Sequence, residues 1–164
     1  MSMPGRFTNI LIAFVVVAAA VSLSARAVSV ARSKERDAIR FASLRATQTA
    51  LEQRFFKQNS YPLQADVPLG DSASAVCLDE TGFAPSCTSG ITYLRYVLPA
   101  LSQGLSPAVQ CGVPPRPGFC YSVRAEGASY GIQFESEQGW PDAGISRGVN
   151  CATEEGFRPG ACPR

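Results

Sequence analysis

The sequence predicts an α+β protein, in which a long N-terminal helix, apolar in its first half and amphipathic in its second, packs on a small antiparallel β-sheet head. Three observations predict this. No Pro or Gly falls between Arg6 and Tyr61, so nothing there forces the backbone out of a helix. Within that stretch Phe41, Leu44, Gln48, Leu51 and Phe55 recur at spacings of three and four, which sets them on one helical face. Farther on, Phe119–Arg124 and Ser129–Phe134 alternate in character on either side of Glu126-Gly127, the pattern of a hairpin with one apolar face.

The chain begins with a short leader-like segment, residues 1–6, followed by the unbroken apolar run Ile10 to Val21. From Thr8 to Ala25 there is no charged residue. At ~1.5 Å per residue those eighteen positions span ~27 Å, enough to cross the core of a bilayer. A transmembrane half-helix is therefore expected over residues 7–25, with Ile10, Leu11, Phe14, Val17 and Val21 as packing residues. The small residues Ala18–Ala20 would admit a close neighbour. Ala25-Arg26-Ala27 also fits the A-x-A pattern of a signal-peptidase site, which would release a secreted, disulfide-rich binding module. The helical pattern that continues past Ala27 favours a retained helix, whose amphipathic half is expected over residues 26–60. Arg40, Arg54 and Lys57 are expected on its water-facing side.

Residues 61–164 form the head. Tyr61-Pro62 ends the helix, and the segment up to Gly90 is rich in Pro, Gly, Ser and Asp, so it is expected to be loop. Ile91–Leu98 is expected to be a strand, and Pro99–Gly118, with five prolines, irregular. In the hairpin, a symmetric turn sets Val123 opposite Tyr130, Tyr121 opposite Ile132 and Phe119 opposite Phe134. Ser122, Arg124, Gln133 and Glu135 then lie on the other face. The apolar face needs a cover, and Leu44, Leu51 and Phe55 can supply it. After Trp140, which is read as packing on the sheet edge, no element periodicity is visible.

Charge and cysteine usage narrow the function. Residues 1–60 hold nine Lys/Arg against three Asp/Glu, and residues 61–164 hold six against ten. A basic stem under an acidic head suits a lipid surface better than nucleic acid. All six cysteines, Cys77, Cys87, Cys111, Cys120, Cys151 and Cys162, lie in the head, and no histidine or CxxC is present. This points to disulfides in an oxidising compartment rather than to a metal site. Six cysteines allow 15 pairings. Joining neighbours, Cys77–Cys87, Cys111–Cys120 and Cys151–Cys162, is the least strained of them. The Lys/Arg count gives the opposite orientation: Arg26, Arg32, Lys34, Arg36 and Arg40 follow the apolar run and only Arg6 precedes it. The cysteines are given the greater weight, so the head is expected outside an inner membrane.

Taken together these residues resemble the type IV pilin and type II secretion pseudopilin family. Phe7-Thr8 and Ile10 match the start of the family's mature sequence, and Gly5 stands near its cleavage glycine. The segment ARSKERDAIRFASLRATQTALEQRFFKQNSYP is similar to the family's passage from stem to head. The resemblance implies processing by a prepilin peptidase near Gly5, Arg6 and Phe7, pilin-like partner subunits, an assembly platform in the membrane, and a final place in a pilus or on the cell surface. In the family a Glu at the fifth mature position orders assembly; here that position is Leu11 or Ile10, which suits a minor or specialised subunit. Some members hold calcium in the C-terminal loop, where Asp142, Asn150, Glu154 and Glu155 offer oxygens, though without the spacing of a known calcium loop.

No enzyme is expected. Without histidine there is no Ser/His or Cys/His nucleophile pair. The two lysines, Lys34 and Lys57, both lie on the stem, and no phosphate-binding loop occurs. No resident cofactor is expected.

Overall fold

The computed structural model describes residues 4–88, 90–97, 103–106 and 108–163, without the side chains of residues 4–9 and 116. Its dominant element is one uninterrupted helix, α1, Pro4–Gln58. The far end is closed by Asn59 in the left-handed region (φ 54°), whose N–H donates to the carbonyl of Phe55 at 2.7 Å. Asparagine tolerates that conformation and so terminates the helix three residues before Pro62.

The head is built on a five-stranded antiparallel sheet in the order β1-β7-β8-β9-β10. These strands are β1 (Val67–Pro68), β7 (Cys120–Arg124), β8 (Ser129–Ser136), β9 (Gly148–Thr153) and β10 (Gly156–Pro159). A three-stranded sheet joins β2 (Cys77–Asp79), β3 (Gly82–Ala84) and β4 (Thr92–Leu94), and β5 (Gln110–Cys111) pairs with β6 (Arg116–Pro117). In the β7–β8 hairpin Tyr121 lies opposite Ile132 and Val123 opposite Tyr130. Phe119 falls just before β7 and meets Phe134 edge-on, with ring centroids 6.4 Å apart. The turn runs through Ala125, Glu126 and Gly127, all with positive φ, and Gly127 O accepts the N–H of Tyr61 at 2.9 Å. That bond ties the hairpin tip to the exit of α1. A side chain at Gly127 would be strained by φ and crowded by Leu63 and Ser60.

α1 lies on the inner face of this sheet. Phe41, Leu44 and Leu51 are buried with Tyr121, Tyr130, Ile132, Phe134 and Ala152 in one core, against which Phe55, Val123 and Phe157 pack half-buried. Phe41 meets Phe134 at 6.1 Å and Phe157 at 6.2 Å, and Phe55 stacks on Tyr61 at 4.6 Å. Gln48, on the same helical face, donates to Thr153 O at 2.7 Å and pins α1 to the end of β9.

Three sequence expectations are corrected. The segment before Gly90 is not all loop: β2 and β3 turn tightly at Glu80-Thr81, where Asp79 Oδ1 accepts the N–H (2.8 Å) and hydroxyl (2.7 Å) of Thr81. All of β2 is buried, so no alternation marks it. The strand expected over Ile91–Leu98 is only Thr92–Leu94, because β2, its one strand partner among the described residues, is three residues long and slips register between Leu78 and Asp79. Leu98 lies outside the described residues, as do 99–102 and 107 of the proline-rich segment. The tail after Trp140 holds β9 and β10. Asn150, Cys151 and Ala152 are buried in succession, which erases the period of two.

The disulfides join Cys77 to Cys87, Cys111 to Cys120 and Cys151 to Cys162. Their sequence separations are 10, 9 and 11 residues. Loops of that length give each link about 2.5–3 kcal/mol in the chain-entropy account.

Candidate functional site: a bare apolar stem above an ion-paired collar

α1 carries two opposite surfaces on one rod. From Ile10 to Arg32 every residue is exposed. Ile10, Leu11, Phe14, Val17 and Val21, the expected packing residues, are between 60% and 73% exposed. Ser22 and Ser24 turn their hydroxyls back onto the carbonyls of Ala18 and Ala20, each at 2.8 Å, so the segment satisfies its own polar groups. Among the described residues this is the one helix long and apolar enough to cross a membrane. Gly5, Arg6 and Phe7 fall within the backbone of α1, and their side chains lie outside the described residues. Residues 1–3 of the leader-like segment lie outside them too.

Burial begins at Ser33, where the segment after β8 wraps the stem. Asp37 is the organising carboxylate. Its Oδ2 accepts the hydroxyl of Ser136 (2.9 Å) and the N–H of Gln138 (2.8 Å), and its Oδ1 accepts the N–H of Glu137 (3.1 Å). Arg40, 1% exposed, donates from Nη1 to Asp37 Oδ1 and Glu137 Oε1, both at 2.7 Å, and from Nη2 to Gln103 O at 2.6 Å. Arg36 forks onto Glu137, with Nε–Oε1 at 2.7 Å and Nη2–Oε2 at 2.5 Å. Gly104 makes room for that carboxylate: it sits at φ 80°, and a Cβ there would lie 2.1 Å from Glu137 Oε2.

The electrostatics follow from these bonds. The Arg36 guanidinium, aided by Arg40, holds the Glu137 carboxyl below its ordinary range against the effect of burial. Burial pushes Asp37 upward, but the N–H groups of Gln138 and Glu137 together with Arg40 outweigh it and leave it lowered. Every oxygen of both carboxylates accepts a hydrogen bond, so the cluster clamps the stem to the head.

This overturns the water-facing placement of Arg40 and Arg54. Arg54 is also buried, donating to the carbonyls of Ser60 and of Glu80, the latter at 2.9 Å. Near the C-terminal end of α1 its charge also complements the helix dipole. Helical periodicity sees only the helix. Their distant partners, Glu80 for Arg54 and Gln103 and Glu137 for Arg40, arrive from loops 26, 63 and 97 residues away, and the sole local signal for the collar was the Arg36, Asp37, Arg40 grouping. Lys57 is exposed as expected. Glu135, expected on the solvent side of the sheet, is buried because it accepts the hydroxyl of Ser106 (2.5 Å) and its N–H (2.8 Å).

The remaining residues are dispersed. Asp142 lies exposed in a short 3-10 turn, and Glu154 and Glu155 stand exposed at the β9–β10 turn. The Asn150 side chain is buried and spent on the Ser146 N–H and on the carbonyls of Ser146 and Gly148, each at 2.8 Å. Among the described residues no group of three or more His, Cys, Asp or Glu is placed to hold a metal. Trp140 stays half-exposed and packs edge-on against Phe41 at 5.8 Å.

Compared with protein-family models, curated proteins and solved structures, the chain finds no match.

Proposed function

We propose that this chain is a structural, pilin-like subunit, held by its stem in the inner membrane before assembly and then built into a type IV pilus or a secretion pseudopilus. The observation that carries the reading is the single helix that runs, without a break, from a bare apolar surface into the core of the head. Such a surface demands lipid or other helices around it. The subunit does no chemistry, uses no cofactor and has no nucleic-acid ligand. Its partners are the membrane, pilin-like chains, an assembly platform and a prepilin peptidase acting near Gly5.

An external head agrees with the disulfides. Two of the five basic residues on the head side of the span, Arg36 and Arg40, are tied to Glu137 and Asp37, which supports reading them as parts of the head. Within lipid there is no hydrophobic drive between helices, so assembly through Ala18–Ala20 would rest on close packing. An apolar residue at the fifth mature position fits a minor or specialised subunit.

The test is a photo-crosslinking residue at Val17 in cells that produce the chain. The expected result is adducts to like chains or pilin-like proteins, recovered in filaments sheared from the cell surface. Lipid adducts alone, with no protein adduct and nothing sheared, would overturn the reading.

A further inference from the structure

The sheet face turned away from α1 has a feature that the stem does not explain. Paired residues on neighbouring strands share a face, so Cys120, Gln133, Cys151 and Arg158 form one row across it. Two of these residues anchor disulfides: Cys120 holds Cys111, and Cys151 holds Cys162. The two tethered segments stand over the face, and between them lies a groove of about 500 Å³ lined by Asp66, Ser122, Arg124, Gly131, Gln133 and Cys162.

Arg124 lies on the floor of this groove. A Cβ added at Gly131 would meet its Nη2 at 2.7 Å and Cys162 Sγ at 3.0 Å, so the absence of a side chain at Gly131 is what lets the guanidinium lie there. Arg36, Arg40 and Arg54 each have oxygen acceptors. Arg124, half-buried, has no hydrogen bond and no ion pair among the described residues. The side-chain amide of Gln133 likewise makes no hydrogen bond among them. Among the described residues the Ser122 hydroxyl is held by Asp66 alone, taking its N–H at 3.1 Å and approaching its Oδ1 at 3.5 Å. Burial and the charge of Arg158 both lower the Arg124 pKa, opposed by Glu154. Among the described residues, a forked donor without an acceptor and the free amide of Gln133 thus line one groove, in which the carboxylate among the lining residues, Asp66, is engaged by Ser122 and not by Arg124.

We propose that this groove binds the oxyanion end of a small polar ligand, with Arg124 as the fork and Ser122 and Gln133 as flanking donors. Asp66, at the rim, repels a second negative charge, so the ligand is anionic at one end only. A carboxylate, a phosphate and a sulfate share this chemistry. The inference is independent of filament assembly, since a subunit that never polymerised would carry the same groove.

The test uses the full chain in nonionic detergent micelles. The side-chain Nε–H of Arg124 and the backbone N–H groups of Gly131 and Gln133 are followed by NMR. Acetate, inorganic phosphate and sulfate are added separately at constant ionic strength set with chloride. The expected result is a saturable shift with at least one of them, and that anion gives the ligand's headgroup class. In Arg124→Gln binding should weaken at least about tenfold, the loss of one charge-assisted fork. Arg124→Lys should bind with intermediate strength, keeping the charge without the fork. Unchanged backbone shifts elsewhere in β7 and β8 establish that the variants are folded. Shifts that never saturate, or that persist in Arg124→Gln, mean an adventitious ion only and overturn the proposal.

Discussion

Residues 10–32 and 33–58 belong to the same helix, yet the first stretch is wholly exposed and the second buries both apolar and charged side chains. In the first stretch Phe14 and its apolar neighbours stand bare. In the second, Asp37 and Arg40 are sealed while Phe56 is 83% exposed. The difference teaches that residue type does not decide burial along a rod. What decides is whether the rest of the chain returns to that turn, and with which groups. Around residues 36–40 it returns with a carboxylate, a hydroxyl and two N–H groups, so charge can be buried. Around residues 10–25 none of the described residues returns, and the apolar surface is left for another phase.

The contrast can be broken or sharpened by substitution. Arg40→Leu should have the largest effect. It leaves the Asp37 and Glu137 carboxylates buried with a cation removed, a loss of about 3–5 kcal/mol in denaturant unfolding of the detergent-solubilised chain. Phe14→Ala in the bare stretch should change that same midpoint by less than about 0.5 kcal/mol. If the two variants unfold alike, the two stretches do not differ as described. Leu51→Ala, beneath the sheet, should lose about 2–5 kcal/mol by the same measurement. Phe14→Arg should do the reverse of Arg40→Leu: the head stays stable, while membrane insertion weakens by about 2.5–3.5 kcal/mol, read as the membrane-bound fraction in a translocation assay. Replacing both Cys151 and Cys162 with Ser should lower unfolding stability by about 2.5–3 kcal/mol and speed amide exchange in β10 before it does so in β8.

The smallest effect is expected from pH. Asp37 and Glu137 sit below their ordinary values of 3.8 and 4.5 in the folded chain. Groups depressed by folding contribute stability that is fully present above their unfolded values and is lost as pH falls through the folded ones. The clamp should therefore hold from neutral pH down to the ordinary carboxyl range and weaken below it. Unfolding midpoints measured between neutral pH and strong acid should show that loss in the native chain. In Glu137→Gln the part due to Glu137 should be gone.

The same contrast explains which features the sequence made legible. The inward stripe of Phe41, Leu44, Gln48, Leu51 and Phe55 was readable because one continuous surface covers it and the helical period survives. The β7–β8 hairpin was readable because its inner face is buried and its outer face is mixed. β2 and the centre of β9 were not, since both of their faces are covered and alternation disappears. The collar was hidden for another reason. Arg36, Asp37 and Arg40 look like any solvated helix flank until Glu137, about a hundred positions later, is brought beside them. The groove over Gly131 was equally silent, since it depends on where two disulfide-tethered segments come to rest.

The most direct measurement is the intact mass of the mature protein extracted from membranes. A chain that starts at Arg6 or Phe7, with or without an N-methyl group, keeps the bare and buried stretches as one rod and is the predicted result. A chain that starts at Val28 has lost its apolar stem to signal peptidase, is a released module, and contradicts the reading of a membrane-held subunit.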